Sequence, residues 1–273
     1  MPGRWWPPMR QWGDIRTHLS AMPPIRFVLL ASALLASMPL AGAAQSRANL
    51  VPPVGAEDDK GWSGKGELGV VVSKGNTESE SFVGKLDLDY SDARRKFAFG
   101  AWGQYSSSEG IESARRHGTY ATAGIRRDPR SYYYGSLRGE RDSYGTYEYQ
   151  WTAAAGYGHE LLADDSQRLF VEAGPGYRFA KDQGVQLHHN EAIARALLDW
   201  RWKLSATATL SNSFLLEAGS DNTFARNLFG LQVAMGKGLA MKAGLETRYN
   251  SRVDPGVATT DQLTTVNLVY SFK

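Results

Sequence analysis

Five histidines, no cysteine and a serine-rich composition set the chemistry open to this 273-residue chain. Without cysteine there is no disulfide framework, no thiolate metal site and no cysteine nucleophile. His188 and His189 are adjacent, so in a strand they point to opposite faces, and no carboxylate or histidine stands at a recognised metal spacing from them. The pair reads as part of a solvated loop. A Ser/His catalytic pair forms in space rather than in sequence, so that chemistry stays open, but nothing selects one serine or one histidine for it. There is no G-x-S-x-G elbow, P-loop or dinucleotide fingerprint. Gly156-Tyr157-Gly158 and Gly174-Pro175-Gly176-Tyr177 lie in strand patterns with no helix after them. They read as points where a curved wall bends or a neighbouring aromatic lies flat, with Pro175 marking a bulge. No catalytic, cofactor-binding or metal-ligating residue is assigned, and no enzymatic activity is expected.

The charged residues carry a different message. Lys65, Glu67, Lys85, Asp87, Arg138, Glu140, Glu148, Gln150, Glu172, Arg178, Glu191, Arg195, Asp199, Arg201, Lys242, Glu246 and Arg248 recur at every second position within their segments, opposite an apolar face. Such a pattern needs strands, and the period from Trp62 onward is two almost throughout, with no helical stripe of useful length. Trp62, Gly64, Gly66, Leu68, Val70 and Val72 alternate with Ser63, Lys65, Glu67 and Ser73. Gly75-Asn76 then turns the chain, and Phe82, Leu86, Leu88 and Tyr90 return against Lys85, Asp87 and Asp89.

Further strands are expected near 96–106, 115–127, 130–142, 146–159, 167–180, 189–202, 206–217, 222–235, 239–250 and 260–273. That makes about twelve, each long enough for the roughly 9 to 11 residues of a tilted membrane-crossing strand. Connections near 91–95, 128–129, 160–166, 203–205 and 236–238 are mostly tight. Those near 74–77, 107–114, 143–145, 181–188, 218–221 and 251–259 include the longest and most polar.

Aromatic residues fall mainly at strand ends. Trp62, Tyr90, Phe97, Tyr133, Tyr157, Trp200, Trp202, Tyr270 and Phe272 lie toward the termini, and Phe82, Tyr105, Tyr147, Tyr149, Tyr177, Phe179, Phe214 and Tyr249 toward the loops. Two belts with Ala, Leu, Val and Gly between them fit a hydrocarbon slab. The other reading is a soluble β-sandwich with those aromatics in its core. On the lipid side each Lys or Arg would cost on the order of 2 to 4 kcal/mol at the midplane, so the charged face belongs inside. There it forms either a hydrophilic passage or a lumen closed by paired charges, and its mixed sign gives no clear ion preference.

Residues 27–40 (FVLLASALLASMPL), with Arg26 before them and Ala41-Gly42-Ala43 after, read as a secretory signal cleaved after Ala43 or Ala44. The n-region is long, and Met22 could be the true start. Arg4, Arg10, Arg16 and Arg26 against Asp14 account for the whole net charge of +3. The basic balance thus belongs to the leader and gives no ground for a nucleic-acid partner. The expected organisation is a signal over 1–43, a loose segment over 44–61 and a barrel over 62–273. The class is all-β, a single closed antiparallel transmembrane β-barrel, since an open sheet in lipid would leave its edge amides unpaired.

Trp62-Ser-Gly64, Glu67-Leu-Gly69, the turn Gly75-Asn76-Thr77, Tyr133-Tyr-Gly135, Arg141-Asp142, Gly156-Tyr157-Gly158 and Gly176-Tyr177 occur in that order. Together they resemble the YdiY-like salt-induced outer-membrane proteins, a family of undefined function. The resemblance spans 62–273 and implies a Gram-negative outer-membrane barrel with lipid around it; it carries over no catalytic residue. The ending TTVNLVYSFK resembles the C-terminal strand that the barrel assembly machinery recognises, except that Lys273 follows Phe272 and Asn267 stands where glycine is common. The expected function is a small, poorly selective channel or an envelope-stress structural barrel. An outer-membrane lipid hydrolase and a soluble periplasmic β-sheet binding protein are the alternatives.

Overall fold

The computed structural model describes residues 61–73, 79–253 and 257–272. The signal, the loose segment up to residue 60 and the Gly75-Asn76 turn lie outside the described residues. Twelve strands follow one another: β1 Gly61–Ser73, β2 Ser79–Ser91, β3 Arg95–Ser108, β4 Ile111–Asp128, β5 Ser131–Asp142, β6 Tyr147–Ala163, β7 Gln167–Asp182, β8 His188–Lys203, β9 Ala208–Gly219, β10 Thr223–Gly236, β11 Leu239–Asn250 and β12 Thr260–Phe272. Each pairs antiparallel with its neighbour, and β1 pairs with β12 to close the barrel. Closure removes the sheet edges, as a lipid environment requires.

Period-two alternation sorts the wall into two faces. On β12, Val266, Leu268 and Tyr270 are exposed on the outside while Asn267 and Val269 are buried inside. Large apolar residues stand fully outward elsewhere, with Trp62 61% and Ile125 61% exposed. In water such exposure would be unfavourable around a whole circumference; in hydrocarbon it is the stable arrangement. Toward the termini, Trp62, Tyr90 and Phe97 form a row with ring centroids 5.4 and 6.2 Å apart. Tyr133 meets Tyr157 at 5.8 Å and Trp200 meets Trp202 at 5.9 Å. Toward the loops, Tyr177 lies 4.8 Å from Phe179. These are the two amphipathic belts of a bilayer-spanning wall, and they remove the soluble-sandwich reading.

Several expectations are corrected. The 107–114 loop does not exist as such: β3 and β4 run on to a two-residue turn at Glu109 and Gly110, both with positive φ (53° and 75°). That backbone suits a tight hairpin turn, and the Ser-rich extension reads as a loop only because strand beyond the apolar slab has no need of apolar residues. Tyr147 is 6% exposed, and its ring lies 6.2 Å from the His189 ring inside the mouth of the barrel, not in the outer belt. The cause is a register shift between Tyr147 and Tyr149. The same shift leaves Glu148 unpaired in the ladder and turns it away from the lumen, to Lys181 at 2.6 Å and Arg141 at 2.6 Å. Pro175 marks no bulge: Ala154↔Gly176 and Tyr157↔Ala173 keep one register on either side of a short gap in the ladder. At that gap Gly156 and Gly174 approach so closely that a Cβ on either would lie 2.2 or 2.1 Å from a carbonyl oxygen across the strand pair.

Candidate lumen gate

Inward-facing charges converge at the level of residues 138–140 on β5. Arg138 Nη2 donates to Glu217 Oε2 on β9 at 2.6 Å, and Arg138 Nη1 reaches Glu140 Oε2 at 3.2 Å. Glu140 Oε1 accepts from Arg248 Nη2 on β11. In the closed ring, β5 and β11 are six strands apart in both directions, so this pair joins opposite walls. Arg178 on β7 completes the group. It donates to Glu191 Oε1 and to the Asn222 carbonyl, both at 2.7 Å, and lies 3.5 Å from the Glu217 carboxylate. Three guanidiniums thus face three carboxylates, all of them nearly free of exposure. Burial on that scale is tolerable only with complementary charge and hydrogen bonds on each group.

Apolar side chains finish the closure. Phe224, inward on β10 and 0% exposed, has the guanidiniums of Arg138 (5.0 Å) and Arg248 (5.4 Å) over its ring, and packs with Leu197 and Leu215. Such cation–π contacts strengthen when water is excluded. A second inward cluster joins Tyr132, Tyr134 and Phe170, with Arg195 4.9 Å above the Tyr134 ring. Glu172 binds both Arg195 (2.8 Å) and the Tyr132 hydroxyl (2.8 Å). Beside the β1/β12 seam, Lys242 donates to Glu67, whose second oxygen accepts from Asn267 at 3.4 Å. A lumen space lined by Lys85, Gln104, Arg226, Glu246 and Asn267 has a volume near 50 Å³, enough for water molecules but not for a hydrated solute.

Of the charged residues read as inward, the structure places all but Glu148 on the lumen side. Sequence reasoning missed Lys96, Arg116, Glu160, Glu217 and Arg226, which share the same inward face. Glu217 was legible by alternation: it sits two residues past Leu215 on a strand whose neighbours Phe214 and Leu216 point out.

The histidines are placed differently from expectation. Both open β8: His188 is exposed, whereas His189 is held at the mouth, with Nε2 3.0 Å from Asp182, Nδ1 3.1 Å from Arg252 and 3.6 Å from Asp221. The described residues contain no group of three His, Asp or Glu side chains placed to hold a metal ion. A Ser/His pair does form, Ser131 Oγ to His159 Nδ1 at 2.9 Å. Ser131 is only 4% exposed, and the serine occupies the Nδ1 where a triad carboxylate would orient the ring. The geometry is that of a cross-strand hydrogen bond between register partners.

A barrel of this construction can be placed among known proteins. The sequence profile described as "Protein of unknown function, DUF481" matches residues 66–272. The chain belongs to that family. Its fold is a closed twelve-stranded antiparallel β-barrel with an apolar outer wall, the fold that the resemblance of its opening strand and turn implied. No curated protein matches the sequence. Among solved structures, the COG4313 outer membrane channel from Pseudomonas putida F1 is similar at a TM-score of 0.50 and 10% identity, over 81% of this chain and 97% of that one. That likeness is one of fold. The translocator domain of the autotransporter NalP from Neisseria meningitidis aligns at a TM-score of 0.46 and 14% identity, over 80% and 90% of the two chains. The NanC porin aligns at 0.46 and 10%, over 78% and 99%.

Proposed function

We propose that this family member is a narrow, poorly selective passage for small ions, held closed by the ion pairs that join opposite walls of its lumen. The observation that carries the reading is the Glu140–Arg248 pair between β5 and β11, extended by Arg138 and Glu217. Balanced charge of both signs supports weak selectivity. Pairing of charge across the lumen, beside the smaller apolar clusters, supports a closure that screening or neutralisation loosens. No catalytic group is needed for this role, and insertion is proposed to proceed through the β12 strand.

A second reading has its own support. The inward Phe224–Leu215–Leu197 and Tyr132–Tyr134–Phe170 clusters favour a barrel that is structural and never conducts. Planar-bilayer recording separates the two. The passage predicts rare, small openings for the native protein and a raised open fraction for the Glu140→Gln/Arg248→Gln double variant. Silence from both proteins, with correct insertion, leaves the structural barrel.

A further inference from the structure

The outer wall carries a feature that neither the closed lumen nor the aromatic belts require. An open apolar groove of about 680 Å³ crosses the outer face of β3 to β7. Its floor is the cross-strand row Ala123, Gly135 and Ala155, and its sides include Phe99, Pro175 and Tyr177. Gly135 is informative. At Gly100, Gly139 and Gly158 the missing Cβ makes room for the rings of Tyr120, Trp151 and Tyr132, whereas at Gly135 nothing lies within 4 Å of where a Cβ would stand. No neighbour within the barrel uses that space.

Charge is concentrated at the terminal end of the same groove. Arg94 and Arg130 in the β2–β3 and β4–β5 turns, with Arg95 and Arg127 at the strand ends beside them, are all exposed. Arg95 lies on the outer face two residues beyond Phe97 and opposite Ile125; Arg127 is left out of register by the shift between Arg126 and Asp128. The turns are tied together by the Arg126 N–H donating to the Arg94 carbonyl at 2.8 Å. Two carboxylates stand nearby: Asp92 accepts from the Arg94 and Arg95 N–H groups at 2.7 Å, and Asp128 accepts from the Arg130 N–H at 2.9 Å and attracts Arg127; four guanidiniums against these two carboxylates leave an excess of positive charge. Counted in the same way, with the strand-end residues beside them, the other turns on this side carry Asp164 and Asp165 beside Arg168, a single Lys203, or a single Lys237. Positive charge therefore collects beneath the groove, with Tyr133 and Tyr157 at the level where headgroups meet hydrocarbon.

We propose that this combined surface is a binding site for an anionic diacyl phospholipid of the periplasmic leaflet, with an acyl chain in the groove and the phosphate against Arg95 and Arg127. A zwitterionic lipid would fill the groove without answering the charge. A second copy of the chain, related by a two-fold axis along the membrane normal, would bring the same arginines toward one another, which like-charge repulsion opposes. An anionic lipid satisfies both halves of the surface.

The test is native mass spectrometry of the protein purified from membranes and exposed in micelles to dioleoyl-phosphatidylglycerol and dioleoyl-phosphatidylcholine in equal amounts. Expected is retention of the anionic lipid over the zwitterionic one by about tenfold or more, the scale for two arginines at a membrane surface. Arg95→Gln/Arg127→Gln abolishes the preference while leaving residual lipid of both kinds. Gly135→Leu, whose side chain enters unused space, lowers retention of both lipids with the thermal unfolding midpoint of the barrel unchanged. Equal retention of the two lipids by the native protein overturns the proposal, as does a preference untouched by either variant. A dimer mass that Gly135→Leu removes also overturns it, and makes the groove an interface between copies.

Discussion

On β5, Arg138 and Glu140 are 6% and 5% exposed while Leu137, one residue away, is 45% exposed; on β7, Arg178 is 0% exposed between Tyr177 at 41% and Phe179 at 47%. A water-soluble sheet would show the reverse. Each strand of this wall faces two media, and the two sets of side chains are stabilised in different ways. Outside, apolar atoms rest in hydrocarbon and the penalty falls on any charge introduced. Inside, charges are withdrawn from water and the penalty falls on any partner removed. Stability on the inner face is therefore a property of groups of residues, and on the outer face a property of single positions.

That contrast can be broken most severely from within. Glu217→Ala leaves Arg138 and Arg178 facing a lost carboxylate, and should destabilise the barrel by about 3 to 5 kcal/mol; denaturant unfolding of the protein refolded into vesicles measures it, and a loss near zero would mean that the lumen is wet enough to solvate both guanidiniums. From outside, Ala153→Arg places a charge midway between the belts set by Tyr149 and Tyr157. It should cost roughly 2 to 4 kcal/mol, while removal of the same small side chain by Ala153→Gly should be mild; equal effects of the two would contradict a lipid-facing wall.

A smaller effect is expected where the two faces meet at the closing seam. Phe272 lies flat over Gly64, where a Cβ would fall 2.4 Å from the ring, and Phe272↔Gly64 is the last register pair of β1 and β12. Phe272→Ala should lower the outer-membrane level of the protein, read by quantitative blotting of membrane fractions; an unchanged level would show that insertion is directed from another part of the chain. The smallest effect lies in the β6–β7 turn, outside the slab. The Asp164 carboxylate accepts from Ser166 Oγ at 2.8 Å and from the N–H groups of Ser166 (2.8 Å) and Gln167 (2.7 Å), which hold its pKa below the usual value. Its contribution is present above the unfolded pKa and lost as pH falls through the lowered one. Protection of the Ser166 and Gln167 amides, exchange being corrected for its intrinsic pH dependence, should accordingly fall on acidification in the native protein, and Asp164→Asn should flatten that dependence.

Much of this wall was legible in the sequence because lipid on one side forces strict alternation. From Trp62 to Phe272 the apolar period assigns nearly every side chain to its face, and the strand count follows. Legibility failed where the slab ends. Ser107 and Ser108 continue β3 above the hydrocarbon, where a strand has no need of apolar residues, so they resemble a loop. Tyr147 and Glu148 exchanged faces because one register shift inverts the parity on which the reading depends. The gate itself was half visible. Alternation places Glu140 and Arg248 inside, but it carries no information on which strand lies across the lumen from which; that requires the closed ring. The groove at Gly135 was invisible for a related reason, since a glycine in a strand pattern reads the same whether a ring lies over it or nothing does.

The claim that the lumen is closed by cross-wall ion pairs is tested most directly by single-channel recording of the native protein beside Glu140→Gln/Arg248→Gln, with both incorporated at matched density. The account predicts rare, small openings in the native protein and a several-fold higher open fraction in the double variant, with little change in cation-to-anion permeability ratio. Equal open fractions in the two proteins, or a native lumen that conducts continuously, would contradict it.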